Sequence, residues 1–332
     1  MASEPDCYNP RLPENRRLIT RGPALKGGAM QPIPHHQHRP LLALLVRLGA
    51  VASLSTMAML IKLAFEHDIE FMEILFWRQF LSIPLVLGWA FCTTGLGILA
   101  TKRLGTHARR AVYGMVGMVC NFGAVILLPL AEATTFGFTA AIWAVILSVL
   151  LLKDTVGIYR WAAVLLGFAG VVIIAQPGSG HFPLYGALVA LGGAFMVALI
   201  SIQVADLGRT EKSLTIVFWF AALSSPVLAL ALPFTFQPHD TEGWLLLLAI
   251  GLFGTLGQLM LTAALRFGAV ASVIVMDYSM LFWATLYGWL IWDQFPPTST
   301  WLGAPLIIGA GLVIAWRERR LHRERLASSV AA

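Results

Sequence analysis

The sequence predicts an all-α integral membrane protein with ten transmembrane helices, arranged as two inverted five-helix repeats. Three observations support this prediction. Of the residues, 58% are hydrophobic and 12% are charged, whereas soluble domains carry about 25% charged residues. Apolar runs of about 20 residues, the length that a helix needs to cross a bilayer, follow one another with short connections. The stretch from Gly114 to Ile174 returns in altered form between Gly251 and Ile314.

The two copies share a spaced pattern of small and polar residues. Asp154 and Trp161 in the first copy correspond to Asp293 and Trp301 in the second. Internal similarity within hydrophobic segments is typical of membrane carriers built from repeats, in which the substrate site lies between the copies. Each copy opens with two glycines and an amide at the same spacing, namely Gly114, Gly117 and Asn121 in the first and Gly251, Gly254 and Gln258 in the second.

The predicted elements follow in chain order. Residues 1–40 are polar, rich in proline, glycine and arginine, and lack apolar periodicity, which predicts a disordered cytoplasmic tail. Residues 41–176 form the first predicted repeat, residues 183–316 the second, and residues 317–332 a basic cytoplasmic tail. The ten predicted spans are 41–65, 71–93, 111–130, 134–152, 159–176, 183–205, 213–234, 244–265, 269–291 and 301–316. They are continuously apolar, unlike barrel strands, which alternate.

The basic residues predict how the chain is threaded through the bilayer. All but three of the 23 lysines and arginines lie in segments on one side of the membrane if the N-terminus is cytoplasmic. The exceptions, Arg47, Lys62 and Arg78, lie within predicted helices. Acids such as Glu70 and Asp240 occupy the opposite loops. Under the positive-inside rule, this asymmetry predicts ten spans with both ends in the cytoplasm. Because each repeat has five spans, the second enters the membrane reversed.

Two long segments resemble a known family. They read LPLAEATTFGFTAAIWAVILSVLLLKDTVGIYRWAAVLLGFAGVVII and GLFGTLGQLMLTAALRFGAVASVIVMDYSMLFWATLYGWLIWDQFPPTSTWLGAPLIIGAGLVI. They are similar to the two EamA-type repeats of the drug/metabolite transporter superfamily, and the likeness extends over about residues 41–316. The family's usual Gly-Glu after the fourth and ninth helices is Lys153-Asp154 and Trp292-Asp293 here. The resemblance implies inverted repeats, a central cavity and alternating access for a small metabolite.

By this resemblance we expect a multi-pass secondary transporter of the bacterial inner membrane that exports or exchanges an amino acid or related compound. Import of a vitamin-like or nucleoside-like compound is the alternative. A membrane sensor or embedded enzyme is an alternative of another class, but the sequence shows no nucleophile with its base and no metal-ligand cluster at membrane depth. The expected partners are a small-molecule substrate, the lipid bilayer, and a proton or counter-substrate. No cofactor, metal or nucleic acid is expected, and the oligomeric state stays open.

Charged residues deep in the bilayer are the first candidates for the site. A charge at the bilayer centre costs roughly 2.5 to 3.5 kcal/mol on insertion scales, so such a residue faces the bundle interior. Arg78 lies about eight residues into the second span and Asp277 about eight residues into the ninth, which places both roughly 12 Å deep from opposite sides. We hypothesise that the two side chains approach each other near the cavity. The alternative is that backbone or amide groups neutralise each one separately.

Four further charges lie closer to the predicted helix ends. Lys62, near the outer end of the first span, either snorkels to the interface or points into the cavity. Arg47, near the cytoplasmic end of the same span, is predicted to be a snorkelling anchor. Glu73 and Glu132 lie near the outer surface and are predicted to be solvated.

Uncharged candidates complete the predicted site. Asn121 and Gln258 occupy matching positions of the inverted copies, near the middle of their helices. They serve either as hydrogen-bonding groups for the substrate or as polar contacts between helices. A planar substrate is expected to stack on deep aromatic residues. These are Trp143, Trp219, Trp283 and Tyr278.

Overall fold

The computed structural model describes residues 40–152, 157–176, 183–208, 210–267 and 275–331. Within these ranges every regular element is a helix and no strand occurs. Apart from Pro40, the predicted N-terminal tail lies outside the described residues, and so does the Lys153-Asp154 connection. Predictions that concern those segments stay predictions.

The first half of the chain contains six helices. A short 3₁₀ turn, Leu96–Leu99, lies between the second and the third. The fourth and fifth together cover the fourth predicted span, and a turn at Phe138 and Thr139 separates them. The helices are α1 (Pro40–Glu66), α2 (Phe71–Thr93), α3 (Leu104–Leu127), α4 (Leu130–Gly137), α5 (Ala140–Leu152) and α6 (Ile158–Ala175).

The second half has a matching series of helices. A 3₁₀ segment, Val275–Ser279, precedes the helix that completes the ninth predicted span. The helices are α7 (Leu184–Leu207), α8 (Ser213–Ala229), α9 (Leu232–Thr235), α10 (Thr241–Phe267), α11 (Met280–Trp292) and α12 (Thr298–Ala331).

Each predicted span coincides with helical structure in the described residues, so the all-α membrane fold is confirmed. Two shorter apolar helices, Trp161–Ala175 and Ser213–Ala229, match the fifth and seventh spans. Of the described helices, seven contain stretches long and apolar enough to cross a bilayer: Leu44–Glu66, Phe71–Thr93, Leu104–Leu127, Leu130–Leu150, Leu184–Val204, Thr241–Leu261 and Thr298–Arg317.

Two helix boundaries differ from the prediction. α3 begins at Leu104 instead of residue 111, so Arg110 lies within the helix and not in the preceding loop. α12 continues to Ala331 instead of ending at residue 316, so the predicted C-terminal tail prolongs the helix. Both differences arise where charged residues flank an apolar run, before it at α3 and after it at α12. Arginine has a high intrinsic helix propensity, and a prediction from apolar runs alone does not include this property.

Helix α1 of the first half packs antiparallel to α10 of the second. Gly49 lies against Met260, whereas Gly257, which comes three residues earlier than Met260, lies against Leu54. Residue numbers therefore rise along α1 where they fall along α10, as in an antiparallel pair. A glycine at the contact lets the two backbones approach closely, as is common between helices in membranes.

Helix α3 packs antiparallel to α7 in the same manner. Gly193 of α7 lies against Asn121, and Gly186 lies against Leu128. Each pair thus joins the first predicted span of one half (α1 or α7) to the third predicted span of the other (α10 or α3). The two halves are consequently interleaved, and exchanging them reproduces the same set of helix pairs.

Two further pairs join equivalent helices of the two halves. α6 packs antiparallel to α12, with Gly170 of α6 in close contact with Gly303 of α12. α2 is joined to α8 by a hydrogen bond from the Gln79 amide to Ser224 Oγ. Large apolar side chains cover the outside of the bundle, among them Phe91, Leu165 and Phe234. Such an exterior suits contact with lipid.

The helix ends form two groups, defined here by the contacts within each. At the acidic end, Trp292 donates to Glu66, and His239 Nε2 lies 2.8 Å from Glu73 Oε1. The connections α1–α2, α3–α4, α9–α10 and α11–α12 lie there.

At the basic end, which contains the connections α2–α3 and α7–α8, Arg103 is paired with Asp206, and Thr101 donates to Glu211. The helices therefore run alternately between the two ends.

Candidate functional site

Asp277 lies in the 3₁₀ segment before α11 and is paired with Arg47 of α1. Arg47 donates from Nε to Asp277 Oδ1 and from Nη2 to Asp277 Oδ2, each at 2.6 Å. Its Nη1 donates to the Leu261 carbonyl oxygen at 3.2 Å. Arg47 is 6% exposed. The contact is a bidentate, charge-assisted link between the two halves inside the bundle.

The predicted approach of Arg78 to Asp277 is therefore wrong, and so is the prediction that Arg47 is a snorkelling anchor. The predicted depth of Asp277 assumed a continuous α-helix from residue 269. Within the described residues, Asp277 lies in the 3₁₀ segment Val275–Ser279, and the α-helix begins only at Met280. Its carboxylate lies at the level of Arg47.

Arg78 is held between α1, α2 and α3 by uncharged groups. Its Nη1 donates to Gln79 Oε1 at 2.6 Å and to Met118 Sδ at 3.2 Å, and its Nε donates to Met57 Sδ at 3.3 Å. The guanidinium lies 5.1 Å from the centroid of the Phe122 ring, a cation–π contact. In the part of the chain that the structure describes, no carboxylate lies within ion-pair distance of Arg78.

Side-chain hydrogen bonds extend from Arg78 across three helices. Gln79 Nε2 donates to Ser224 Oγ of α8 at 2.7 Å. One turn further along α2, Ser82 Oγ lies 2.8 Å from Thr255 Oγ1 of α10. All four of these side chains are buried. The network links α2 to α8 and to α10. It gives these polar groups hydrogen-bond partners, which lipid cannot provide.

Lys62 is 7% exposed and does not snorkel to the interface. Its Nζ donates to the Leu128 carbonyl oxygen at 3.1 Å and lies 5.1 Å from the centroid of the Trp292 ring. Trp292 Nε1 in turn donates to both carboxylate oxygens of Glu66. Glu66 and Glu132 are close enough for their charges to act on Lys62. The lysine is therefore held between the halves at the acidic end.

Asn121 and Gln258 both lie at contacts between the halves. The backbone of Asn121 faces Gly193 of α7, where an added Cβ would lie 3.1 Å from the Asn121 Cα. Gln258 follows Gly257, which faces Leu54 of α1. Both side chains are half-buried. Their roles as substrate contacts or helix contacts stay predictions.

The deep aromatic residues lie in separate ring contacts. Tyr278 meets Phe138 edge-on, with ring centroids 5.0 Å apart. Trp283 contacts Tyr287 at 6.0 Å, and Tyr287 Oη lies 2.8 Å from Thr56 Oγ1 of α1. Trp143 packs edge-on against Phe168 and Phe195, and Trp219 donates to the Leu99 carbonyl oxygen near the basic end. Stacking of any of them on a substrate stays a prediction.

A cleft of about 400 Å³ opens at the acidic end. It lies between the start of α4, the residue before α7, the middle of α11 and the loop that follows α11. Its wall includes Glu132 and Asp293 together with apolar residues such as Pro129, Ala284 and Phe295. This volume falls within the range of small-molecule sites, about 300–1,000 Å³.

A family model confirms what the repeated segments and the interleaved helices indicate. The model of the EamA-like transporter family matches residues 41–176 and again residues 184–316. The chain belongs to this family. It is accordingly a multi-pass bacterial membrane protein that transports a small molecule, and it is not an enzyme.

Several transporters resemble this family member over most of their length. It is 31% identical over 230 residues to a riboflavin transporter of Vibrio cholerae, covering 68% of this chain and 77% of that protein. It is 29% identical over 211 residues to the pseudopaline exporter CntI of Pseudomonas aeruginosa, covering 62% and 73%. It is 27% identical over 252 residues to the S-adenosylmethionine uptake transporter of Rickettsia felis, covering 75% and 84%.

One solved protein structure shares the fold of this EamA-like chain. It matches with a TM-score of 0.55 and 21% sequence identity, covering 84% of this chain and 98% of that one. At this identity the likeness shows a common fold alone.

Two acids of this EamA-like protein were misjudged from the sequence. Glu73 is fully buried; its Oε1 lies 2.8 Å from His239 Nε2 and accepts from Trp77 Nε1. Glu132 is 2% exposed, and its Oε1 accepts from Thr300 Oγ1 at 3.3 Å. The prediction that both are solvated is wrong, because the loop before α10 contacts Glu73 and α12 contacts Glu132. For Glu132 a signal existed, since it lies within the repeated stretch of the first copy.

Proposed function

We propose that this protein is a secondary active transporter that moves an amino acid or a related compound across the inner membrane by alternating access. Export or exchange is the proposed direction, with a proton or counter-substrate as the coupled species. The two repeats move against each other around a site between them, so that the site opens to one side at a time.

The observation that best supports this proposal is the exchange of partners between the halves. α1 with α10 and α3 with α7 are antiparallel pairs that are equivalent to each other when the halves are exchanged, and glycines make each contact close. Such pairs are what two inverted repeats around a common axis require. A rocking motion changes both pairs in equivalent ways, and this makes inward-open and outward-open states close in energy.

The irregular segments add a second line of support. The fourth and ninth predicted spans are equivalent in the two repeats, and both are irregular, at Phe138–Thr139 and at Val275–Ser279. α4 also packs against α11. Interrupted helices at equivalent positions are a feature of carriers, where freed backbone groups face the substrate or ion.

Import of a vitamin-like or nucleoside-like compound is a second candidate function. The names of the relatives favour it, because one transports riboflavin and another takes up S-adenosylmethionine. Both compounds carry a planar ring system. The half-buried rings of Tyr278 and Trp283 would suit such a ligand.

Counterflow in proteoliposomes tests the transport proposal. Vesicles containing the purified protein are loaded in turn with unlabelled amino acids, riboflavin or S-adenosylmethionine, and uptake of the same labelled compound is followed. A carrier working by alternating access accumulates label transiently against an unlabelled interior pool. Accumulation with an amino acid supports the first candidate, and accumulation with a flavin or nucleoside the second. Label that only equilibrates, without stimulation by the interior pool, would contradict alternating access.

A further inference from the structure

The cleft at the acidic end contains a carboxylate whose hydrogen bonding is incomplete. Glu132 lies in the first turn of α4 and lines the cleft. Its Oε1 accepts a long hydrogen bond of 3.3 Å from Thr300 of α12. Its Oε2 is buried and has no hydrogen-bond donor among the described residues. A buried acceptor left without a donor is costly, so native structures rarely keep one without a functional reason.

The charges around the cleft favour a cation. Its lining contains two carboxylates, Glu132 and Asp293, and none of the lining residues is a lysine, arginine or histidine. Lys62 is near Glu132 but is not part of the lining. Its ammonium is occupied by the Leu128 carbonyl oxygen and the Trp292 ring. Lys62 thus offsets part of the charge of Glu132 but does not line the cleft.

The rest of the wall is apolar. Pro129 and Leu130 lie on one side, Ala284 and Phe295 on the other. These groups suit the carbon skeleton of a small metabolite, while a few convergent polar groups determine its orientation.

We propose that this cleft binds an amine-bearing metabolite and that Glu132 accepts the hydrogen bond of its protonated amino group at Oε2. This inference rests on the proposed transport function and names the chemical class of its substrate. The ammonium supplies the donor that Oε2 lacks, and a hydrogen bond between two charged groups is the strong kind. Asp293 at the rim adds attraction for the approaching cation.

The position of Glu132 connects binding to movement of the repeats. Glu132 belongs to the first repeat and Thr300 to the second, so their hydrogen bond joins the two at the acidic end. An amine at Oε2 and Thr300 at Oε1 would bind the same carboxylate. The cleft ligand would therefore contact the side chain that joins the acidic ends of the two repeats.

Thermal-shift measurements on the purified full-length protein in detergent test this proposal. The probes are the proteinogenic amino acids and simple primary amines, each beside its N-acetylated form, which has the same skeleton but no ammonium. A ligand that binds only the folded state raises the apparent melting temperature in proportion to its occupancy. We expect at least one amine to stabilise the protein and its N-acetylated form not to do so.

Three variants then assign the effect to the carboxylate. Glu132→Gln keeps the shape and the Thr300 bond but removes the charge, and we expect it to weaken amine binding roughly tenfold to hundredfold. Glu132→Asp retains the charge and is expected to retain part of the affinity. Glu70→Gln is the matched control, since Glu70 is exposed beside α2 at the same end. It should bind like the unaltered protein.

Several outcomes overturn the amine site. Stabilisation by the N-acetylated forms as well, unchanged amine binding in Glu132→Gln, or the absence of any stabilising amine each contradicts it. Failure of the transport proposal is distinguishable in the counterflow assay. A neutral or anionic compound that is transported equally well by Glu132→Gln removes the amine site and leaves the carrier intact. Amine binding without counterflow of that amine removes the carrier and leaves the site.

Discussion

The buried charges of this protein are stabilised by partners that other helices supply. Arg47 finds Asp277 in the second repeat, whereas Arg78 is surrounded by an amide, two thioethers and a phenyl ring. In a medium without water, each such group depends on its partner's position. Removing one partner of a buried pair therefore costs more than removing one partner of an exposed pair.

We expect Asp277→Asn to destabilise the protein by about 3 kcal/mol, because Arg47 then remains buried without a counter-charge. The measurement is the unfolding midpoint of the detergent-solubilised protein. The double variant Arg47→Gln/Asp277→Asn should recover part of the loss, since no unpaired charge remains.

The exposed pair Arg103–Asp206 is the matched control. It has the same 2.6 Å separation, but its side chains are 32% and 52% exposed, against 7% for Arg47 and 30% for Asp277. Exposed pairs contribute about 0–1 kcal/mol, so Asp206→Asn should shift the midpoint little. Equal shifts for Asp206→Asn and Asp277→Asn would contradict the argument from burial.

Among the helices, the contact between α6 and α12 is the tightest backbone approach that involves glycine on both sides. A Cβ added at Gly170 would lie 2.7 Å from the Gly303 carbonyl oxygen, and one added at Gly303 would lie 2.6 Å from the Gly170 oxygen. Backbone atoms cannot turn aside as side chains do. Any larger residue here must separate the two helices along the contact.

Gly303→Ala is expected to destabilise the protein by about 1–3 kcal/mol through this overpacking. Gly309→Ala on the same helix is its control, since a Cβ there meets no atom within 4 Å. That change should leave the unfolding midpoint unchanged or raise it, because alanine favours a helix over glycine. The midpoints of the two variants in one detergent check the prediction. A Gly303→Ala midpoint as high as that of Gly309→Ala would show that the contact adapts at little cost.

The molecule as a whole has two chemically different ends. The connections at one end contain Glu70 and Asp240, and those at the other contain Lys102 and Arg103. Successive helices run between these two ends. Assigning one connection to a side of the membrane therefore assigns all the other connections. From the positive-inside rule we expect the basic end to lie in the cytoplasm.

Labelling of single cysteines tests this threading. Cys7, Cys92 and Cys120 are first replaced by serine, and cysteine is then introduced at Glu70 or at Gly105, where added side chains meet no neighbour. A membrane-impermeant maleimide applied to intact cells is expected to label Glu70→Cys but not Gly105→Cys. Gly105→Cys should react only after the membrane is opened. Labelling of both positions from outside would contradict the ten-span arrangement.

Much of the fold was predictable from periodicity and repetition. Apolar runs located every helical segment, although not the ends of α3 and α12, because lipid requires continuous apolar length of any spanning helix. The irregularities were not predictable in this way. The turn at Phe138 and the 3₁₀ segment at Val275–Ser279 occur in runs as apolar as their neighbours. Hydropathy describes the free energy of transferring a segment from water to lipid. It contains no information about backbone conformation.

The environments of the charged candidates were predicted less well than the helices. Arg78 and Lys62 are both buried, which for Lys62 contradicts the alternative that it snorkels to the interface. The predicted partner of Asp277 was wrong, because its carboxylate lies beside Arg47 of α1. Glu132 was wrongly predicted to be solvated, because a contact that buries it comes from α12, more than 140 residues further along the chain.

The sequence alone determined that the chain lies in a membrane, that it contains two similar segments, and that its basic and acidic loops lie at opposite ends of the helices. These properties follow from local composition and spacing, since each segment must satisfy the bilayer by itself. Only the tertiary structure decided that Arg47 pairs with Asp277 and that Glu132 is buried beside a cleft, with one carboxylate oxygen that has no donor among the described residues. Those facts depend on which helices interleave, and packing between distant segments is set by shape and not by hydropathy.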